Sequence, residues 1–218
     1  TAALDAICKP AEISKRPFTP AAAQQLLNNL GQVRTDEGVS IGEFIEPVQL
    51  QVVCYQLWED LSKQEQFADT ITLEDVQTFG DVDSALTHFY ESTINDVVAT
   101  TNVSVLDIRI WFEHELITET GARGTVHQGA EKTGTLPNPI VKALTARFLL
   151  RPEQRAGSFW FELVHERFIA PIIQANKRWL NHQHTAVQQA VNWHIAARPN
   201  EKLLSDRPVD DVRSELSA

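Results

Sequence analysis

The 218 residues, 43% hydrophobic and 22% charged, suffice for one to three small folded units and are too apolar for a wholly disordered chain. Twenty-nine acidic against nineteen basic residues leave a formal charge of −10, a surface that repels nucleic acid unless its basic groups cluster. No apolar run approaches the roughly 18 residues of a membrane-spanning helix, and "AALDAIC" at the start is too short, and too interrupted by Asp5, for a signal peptide.

Residues 1–70 read as a helical subdomain. In "RPFTPAAAQQLLNNLG", Thr19 is placed to cap a helix, Pro20 to open it and Gly31 to follow its end, with Leu26, Leu27 and Leu30 as the apolar stripe. "IEPVQLQVVCYQLWEDL" repeats the pattern, with Pro47 early and Leu50, Val53, Leu57 and Leu61 at helical spacing. The glycine-punctuated "GQVRTDEGVSIGEF" between them reads as a loop.

Residues 71–172 change character. "TITLEDV" reads as a short strand passing into a turn, and Gly80 breaks the pattern. Two helices follow, one carrying Leu86, Phe89, Tyr90, Ile94 and Val97, the other Val105, Ile108, Phe112 and Leu116. "ITETGARGTVHQG" suits a strand and hairpin. "LPNPIVKALTARF" predicts a third helix with Ile140, Val141, Leu144 and Phe148 inward. "LLRPEQRAGSFWFELV" predicts two strands around a polar turn at Glu153–Ser158. Helix, helix, strand, helix, strand, turn, strand is the order of a winged helix with a small β-hairpin wing. Residues 173–218 predict a helical arm, Ile172, Ile173, Ala175 and Trp179 on one helix and Val187, Ala190, Val191 and His194 on another. The fold expected is therefore mainly α.

Thr1 opens a chain without methionine, which points to a processed chain or an excised piece of a longer protein. Cys8 and Cys54 sit in apolar helical patterns and read as buried free thiols of a reducing, cytoplasmic protein rather than a disulfide.

Catalytic motifs fail one by one. His165-Glu166 and His114-Glu115 each begin H-E-x-x-H, but Ile169 and Thr118 stand where the second histidine is needed to hold zinc. His182 and His184 point to opposite sides of a helix, so no metal site is expected. "GTVHQGAEKT" has two glycines five apart and a later Lys-Thr, yet Ala130 and Glu131 separate the second glycine from Lys132. A phosphate loop needs lysine directly there. No residue is assigned a catalytic role, and the chain alone is not expected to be an enzyme. Lys142, Arg147, Arg151 and Arg155 form a modest basic cluster on the third helix and wing. That helix offers no Asn or Gln beyond Asn138 for base edges, so a solvated face or protein contact is the reading, with DNA binding its rival.

"KPAEISKRPFTPAAAQQLLNNL", "EPVQLQVVCYQLWEDL" and "GTVHQGAEKTGTLPNPIVKALTARFLLRPEQRAGSFWFELVHERFIAPI" resemble the C-terminal part of the ATPase module of STAND signalling proteins, relatives of NACHT and NB-ARC proteins. The likeness is to bacterial members with C-terminal sensor repeats, and it covers about residues 1–205. It implies that residues 1–70 are the helical lid and 71–172 the winged helix, with the Walker elements in a P-loop domain preceding this region. It implies ADP or ATP with magnesium in the parent and no cofactor in the fragment. As partners it implies the parent's own ATPase and sensor domains, and a homo-oligomer on activation. Two nucleotide contacts follow from the resemblance. Pro10 in "CKPA" matches the lid proline that packs by the adenine, although Cys8 and Lys9 precede it where the family carries a glycine. His165 in "LVHE" matches the winged-helix histidine that reaches the β-phosphate of ADP. From the residues alone, His165 reads as the cap of the helix that follows it. A nucleotide-independent protein-interaction module is the remaining alternative.

Overall fold

Periodic apolar stripes and polar caps set most of the elements seen in the computed structural model, which describes residues 2–35, 38–41, 45–63, 69–183 and 188. The first helix, α1 (Ala2–Ile13), holds Pro10 in its interior and buries Ile7 and Ala11. The second, α2 (Pro20–Gly31), starts as its sequence dictates: Thr19 accepts a hydrogen bond from the Ala22 N–H, and Pro20 occupies the first position, where a missing N–H costs nothing. Leu26 and Leu30 are buried, and Gly31 is the helix's last residue rather than the one beyond it.

Two expected irregular stretches are regular. The segment read as a loop after Gly31 forms an antiparallel hairpin, β1 (Gln32–Thr35) with β2 (Gly38–Ile41), Gln32 opposite Ile41. The turn expected after Ile71 is a helix, α4 (Leu73–Phe79), preceded by α3 (Pro47–Ser62). A reciprocal capping box starts α4: Thr72 accepts from the Asp75 N–H, and the Asp75 carboxylate accepts from the Thr72 N–H at 2.8 Å. Ile71 itself bridges Phe18 in parallel, so the expected strand is a single bridge.

The core lies among α5 (Val82–Thr100), α6 (Val105–Glu115) and α7 (Asn138–Ala146). Tyr90, Trp111 and Phe112 are fully buried, with Tyr90 edge-on to Phe112 at 5.2 Å and Trp111 edge-on to it at 5.5 Å. Between α6 and α7 run the short strands β3 (Val126–His127), β4 (Lys132–Thr133) and β5 (Leu136–Pro137). After α7 come β6 (Leu150–Arg155) and β7 (Ser158–Leu163), which form a three-stranded antiparallel sheet in the order β3-β7-β6. The turn between β6 and β7 is only Ala156 and Gly157, both left-handed, shorter than the six residues expected. That two-residue turn suits the twist of the strands it joins.

Phe148 faces out, not in. It lies in the turn after α7 with φ +60 and is 69% exposed, because the helix ends two residues earlier and its stripe no longer applies. A 3-10 turn, Glu166–Phe168, leads into α8 (Ile169–Asn181). Residues 1–172 form one compact unit and residues 173–218 a second, the boundary falling within α8. Among the described residues the chain is mainly helical, with eight α-helices and no helix long and apolar enough to cross a membrane. The expected helix through Val187 and His194 falls outside the described residues.

Candidate functional site

His165 sits where β7 ends and the 3-10 turn begins. Its backbone is extended, and the Val164 N–H still bonds the Leu149 carbonyl at 3.1 Å, so the sheet fixes where the ring starts. The Nδ1 atom accepts the Arg167 N–H at 3.0 Å, capping the turn. Gln49 Nε2, from the first turn of α3, lies 2.7 Å from Nδ1 and 3.3 Å from Nε2. With Nδ1 an acceptor, the proton of the neutral ring belongs on Nε2. Glu46 Oε1 stands 3.9 Å from that nitrogen, beyond hydrogen-bond reach. Burial holds the imidazole below its ordinary pKa; Glu46 opposes this, while Arg123 and Arg167 add to it. The ring is therefore a neutral donor, with 27% of the side chain open.

The adjoining arginine ties this corner to the first helices. Arg167 Nη1 donates to the Leu30 carbonyl at 3.1 Å, and both terminal nitrogens approach the Asn29 carbonyl, at 3.3 and 3.4 Å. These carbonyls end α2, where that of Asn29 also accepts the N–H of the C-cap residue Gln32, and a cation there also suits the helix dipole. Arg167 Nε lies 3.7 Å from Asp83 Oδ1, in the first turn of α5. Three residues, His165 to Arg167, thus join the end of β7 to α2, α3 and α5.

Pro10 is elsewhere. It lines an apolar pocket of about 230 Å³ with Ala6, Ile7, Cys54, Leu57 and Trp58 among others, and His165 is not one of its walls. Along α3, Gln49 and Trp58 are nine residues apart, which at 3.6 residues per turn places them on opposite faces. Cys8 and Cys54 are free thiols, and burial, with Cys8 nearby, pushes Cys54 up to about 11.

The basic cluster is largely neutralised. Arg147 Nε is 3.9 Å from Asp96. Arg151 bonds the buried Glu162 carboxylate, which also has Arg123 at 3.8 Å. Arg155 pairs with Glu153, and that hydrogen bond holds the Glu153 carboxyl below its ordinary pKa. Lys142 is exposed on α7. Asn138, the helix residue nearest to a base reader, spends its side chain on the loop before it, donating to Gly129 O at 3.0 Å and accepting from Thr133 Oγ1 at 2.8 Å. The same loop is the one that mimics a phosphate loop. Its Thr133 carbonyl accepts the Trp111 indole N–H at 2.8 Å, so it is stapled to the core.

Among the described residues no cluster of three or more His, Cys, Asp or Glu is placed to hold a metal ion. His182 Nδ1 lies 2.6 Å from the Arg178 carbonyl, and His184 falls outside the described residues. The residues that sequence reasoning missed are Gln49, Arg167, Arg123 and Glu162. A signal existed for the first: Gln49 and Gln56 lie on the same helical face as Val53, and both are buried. No protein-family model, curated protein or solved structure matches the chain.

Proposed function

We propose that the chain is the lid and winged-helix region of a STAND signalling ATPase, closing over ADP in the inactive parent and moving on exchange for ATP. The single observation that carries this reading is the state of His165. Its Nδ1 is capped by the chain's own backbone, so Nε2 carries an N–H that no carboxylate among the described residues accepts, at a corner joining four elements. A β-phosphate is the acceptor such a donor suits. The connectivity α5-α6-β3-α7-β6-β7 and the sheet order β3-β7-β6 support the winged-helix part of the reading. The carboxylates facing Arg147, Arg151 and Arg155 weigh against the DNA-binding rival.

One magnitude limits His165. A hydrogen bond to a charged group contributes about 1.5–3 kcal/mol. Turning a switch from 1:99 to 99:1 takes about 5.5 kcal/mol of differential binding. The remainder falls to packing of this region against the parent's ATPase domain.

The test is His165→Ala in the full-length parent. Loss of the cap costs about 1 kcal/mol of stability whatever the function. If the phosphate contact exists, ADP also dissociates about ten- to hundredfold faster, and oligomers form at lower stimulus. An unchanged ADP off-rate removes the nucleotide role and leaves a structural cap.

A further inference from the structure

The residue that opens α3 carries a carboxylate that its position does not use. Glu46 is the N-cap of α3, where a short side-chain oxygen ordinarily accepts one of the first free N–H groups, yet its side chain makes no cap hydrogen bond. It is 54% exposed, and among the described residues no lysine or arginine stands within ion-pair distance of it. Its partner is the His165 ring: Glu46 Oε1 lies 3.9 Å from Nε2, the nitrogen that carries the donor proton. The two arginines near that ring face other carboxylates, Arg123 that of Glu162 at 3.8 Å and Arg167 that of Asp83 at 3.7 Å. Burial is the first cause of the lowered His165 pKa, and Glu46 is the strongest charge felt at the ring.

Two contacts at Nδ1 fix how the ring meets this carboxylate. Gln49 Nε2 lies 2.7 Å from Nδ1, and the Arg167 N–H donates to it at 3.0 Å. Gln49 follows Glu46 by three residues, so one turn of α3 brings both to the ring. An anion that accepts the Nε2 proton therefore comes to lie beside a second negative charge. A terminal phosphate carries about −1.5 to −2 near pH 7, so it feels that repulsion more than a singly charged group does.

We propose that Glu46 is the release element of the nucleotide site: its carboxylate competes with the β-phosphate of ADP for the Nε2 proton and repels it, so that the ADP-bound state does not lock. This rests on the nucleotide reading of His165. In that reading ATP is held after His165 has moved away, so the repulsion falls on ADP and favours exchange.

Glu46→Gln in the full-length parent removes the charge and keeps the shape. ADP is expected to dissociate about two- to tenfold more slowly, ATP to gain less, and oligomers to need a stronger stimulus. The gain is expected to shrink in high salt, since the Debye length falls from about 10 Å at 0.1 M to about 3 Å at 1 M. Should Glu46→Gln not fold, Glu46→Asp replaces it: aspartate caps helices well, drawing the charge back to α3, and a smaller gain of the same sign is expected. Faster ADP release in His165→Ala without slower release in the Glu46 variant overturns this proposal and leaves the nucleotide reading standing. An unchanged off-rate in His165→Ala overturns both. Slower release that persists undiminished at high salt also overturns the proposal, because the new amide, and not the lost charge, then holds the phosphate.

Discussion

The two faces of α3 treat polar groups in opposite ways. On the face of Gln49, directional bonds run to the His165 ring, from it to the Arg167 backbone, and through the Arg167 side chain to the last carbonyls of α2. On the face of Cys54 and Trp58, apolar walls enclose space. The first face joins elements more than a hundred residues apart in sequence through directional bonds. The second rests on area alone. Geometry is strict where bonds are directional and tolerant where only apolar area is buried. The junction is accordingly the better place for a positional signal.

The largest expected effect lies on the apolar face. Leu57 is 1% exposed, so Leu57→Ala forfeits its burial and enlarges the existing pocket. A loss of about 2–5 kcal/mol in denaturant unfolding is expected. A loss below about 1 kcal/mol would mean that this side of α3 is not packed as core, and the contrast between the faces would collapse.

Arg167→Ala comes next. It takes the arginine donor from the Leu30 carbonyl, leaves the Asn29 carbonyl to the Gln32 N–H and removes the cation beside Asp83, at a side chain only 19% exposed. A loss of about 1.5–3 kcal/mol is expected. Arg167→Lys keeps the charge but loses the planar fork that spans two carbonyls, so an intermediate loss is expected. If lysine restores full stability, charge at the α2 terminus matters and the directional bonds do not.

Much of this architecture is legible in the sequence because it is local. Thr19-Pro20 opens α2, Pro47 opens α3, and the stripes of α5 and α6 place Leu86, Tyr90, Ile94 and Phe112 in the core. The β1–β2 hairpin is not legible, since four-residue strands among glycines carry too little alternation to separate from a loop. Helix α4 escapes for a similar reason: in seven residues only Val76 is buried. Its capping box, Thr72 with Asp75, is the local mark that could have revealed it. Phe148 misleads because an apolar residue at helical spacing carries no sign that the helix has already stopped. His165 is legible as a cap, and the structure gives it that role. Its partners are not, because Gln49 is 116 residues away and only tertiary packing brings the two together.

The smallest expected effect is a pH dependence, and it tests whether the junction is as enclosed as its bonds suggest. Burial is the main cause of the lowered His165 pKa; Arg123 and Arg167 act with it, while Glu46 and Glu166 act against it. A histidine whose folded pKa is depressed binds fewer protons when folded than when unfolded, so stability rises with pH across that window. Its contribution is complete above the unfolded value of about 6.5 and is lost as pH falls through the folded value. His165→Gln replaces the ring by a polar side chain that cannot take the proton. Between pH 7.5 and 5, the unaltered chain is therefore expected to lose more stability than the variant, with the gap opening below about pH 6.5. Thermal unfolding of the pair across that range measures it. Parallel curves would mean that Glu46 and solvent compensate the ring charge fully, and that the Gln49 face of α3 is open to water rather than sealed by its hydrogen bonds.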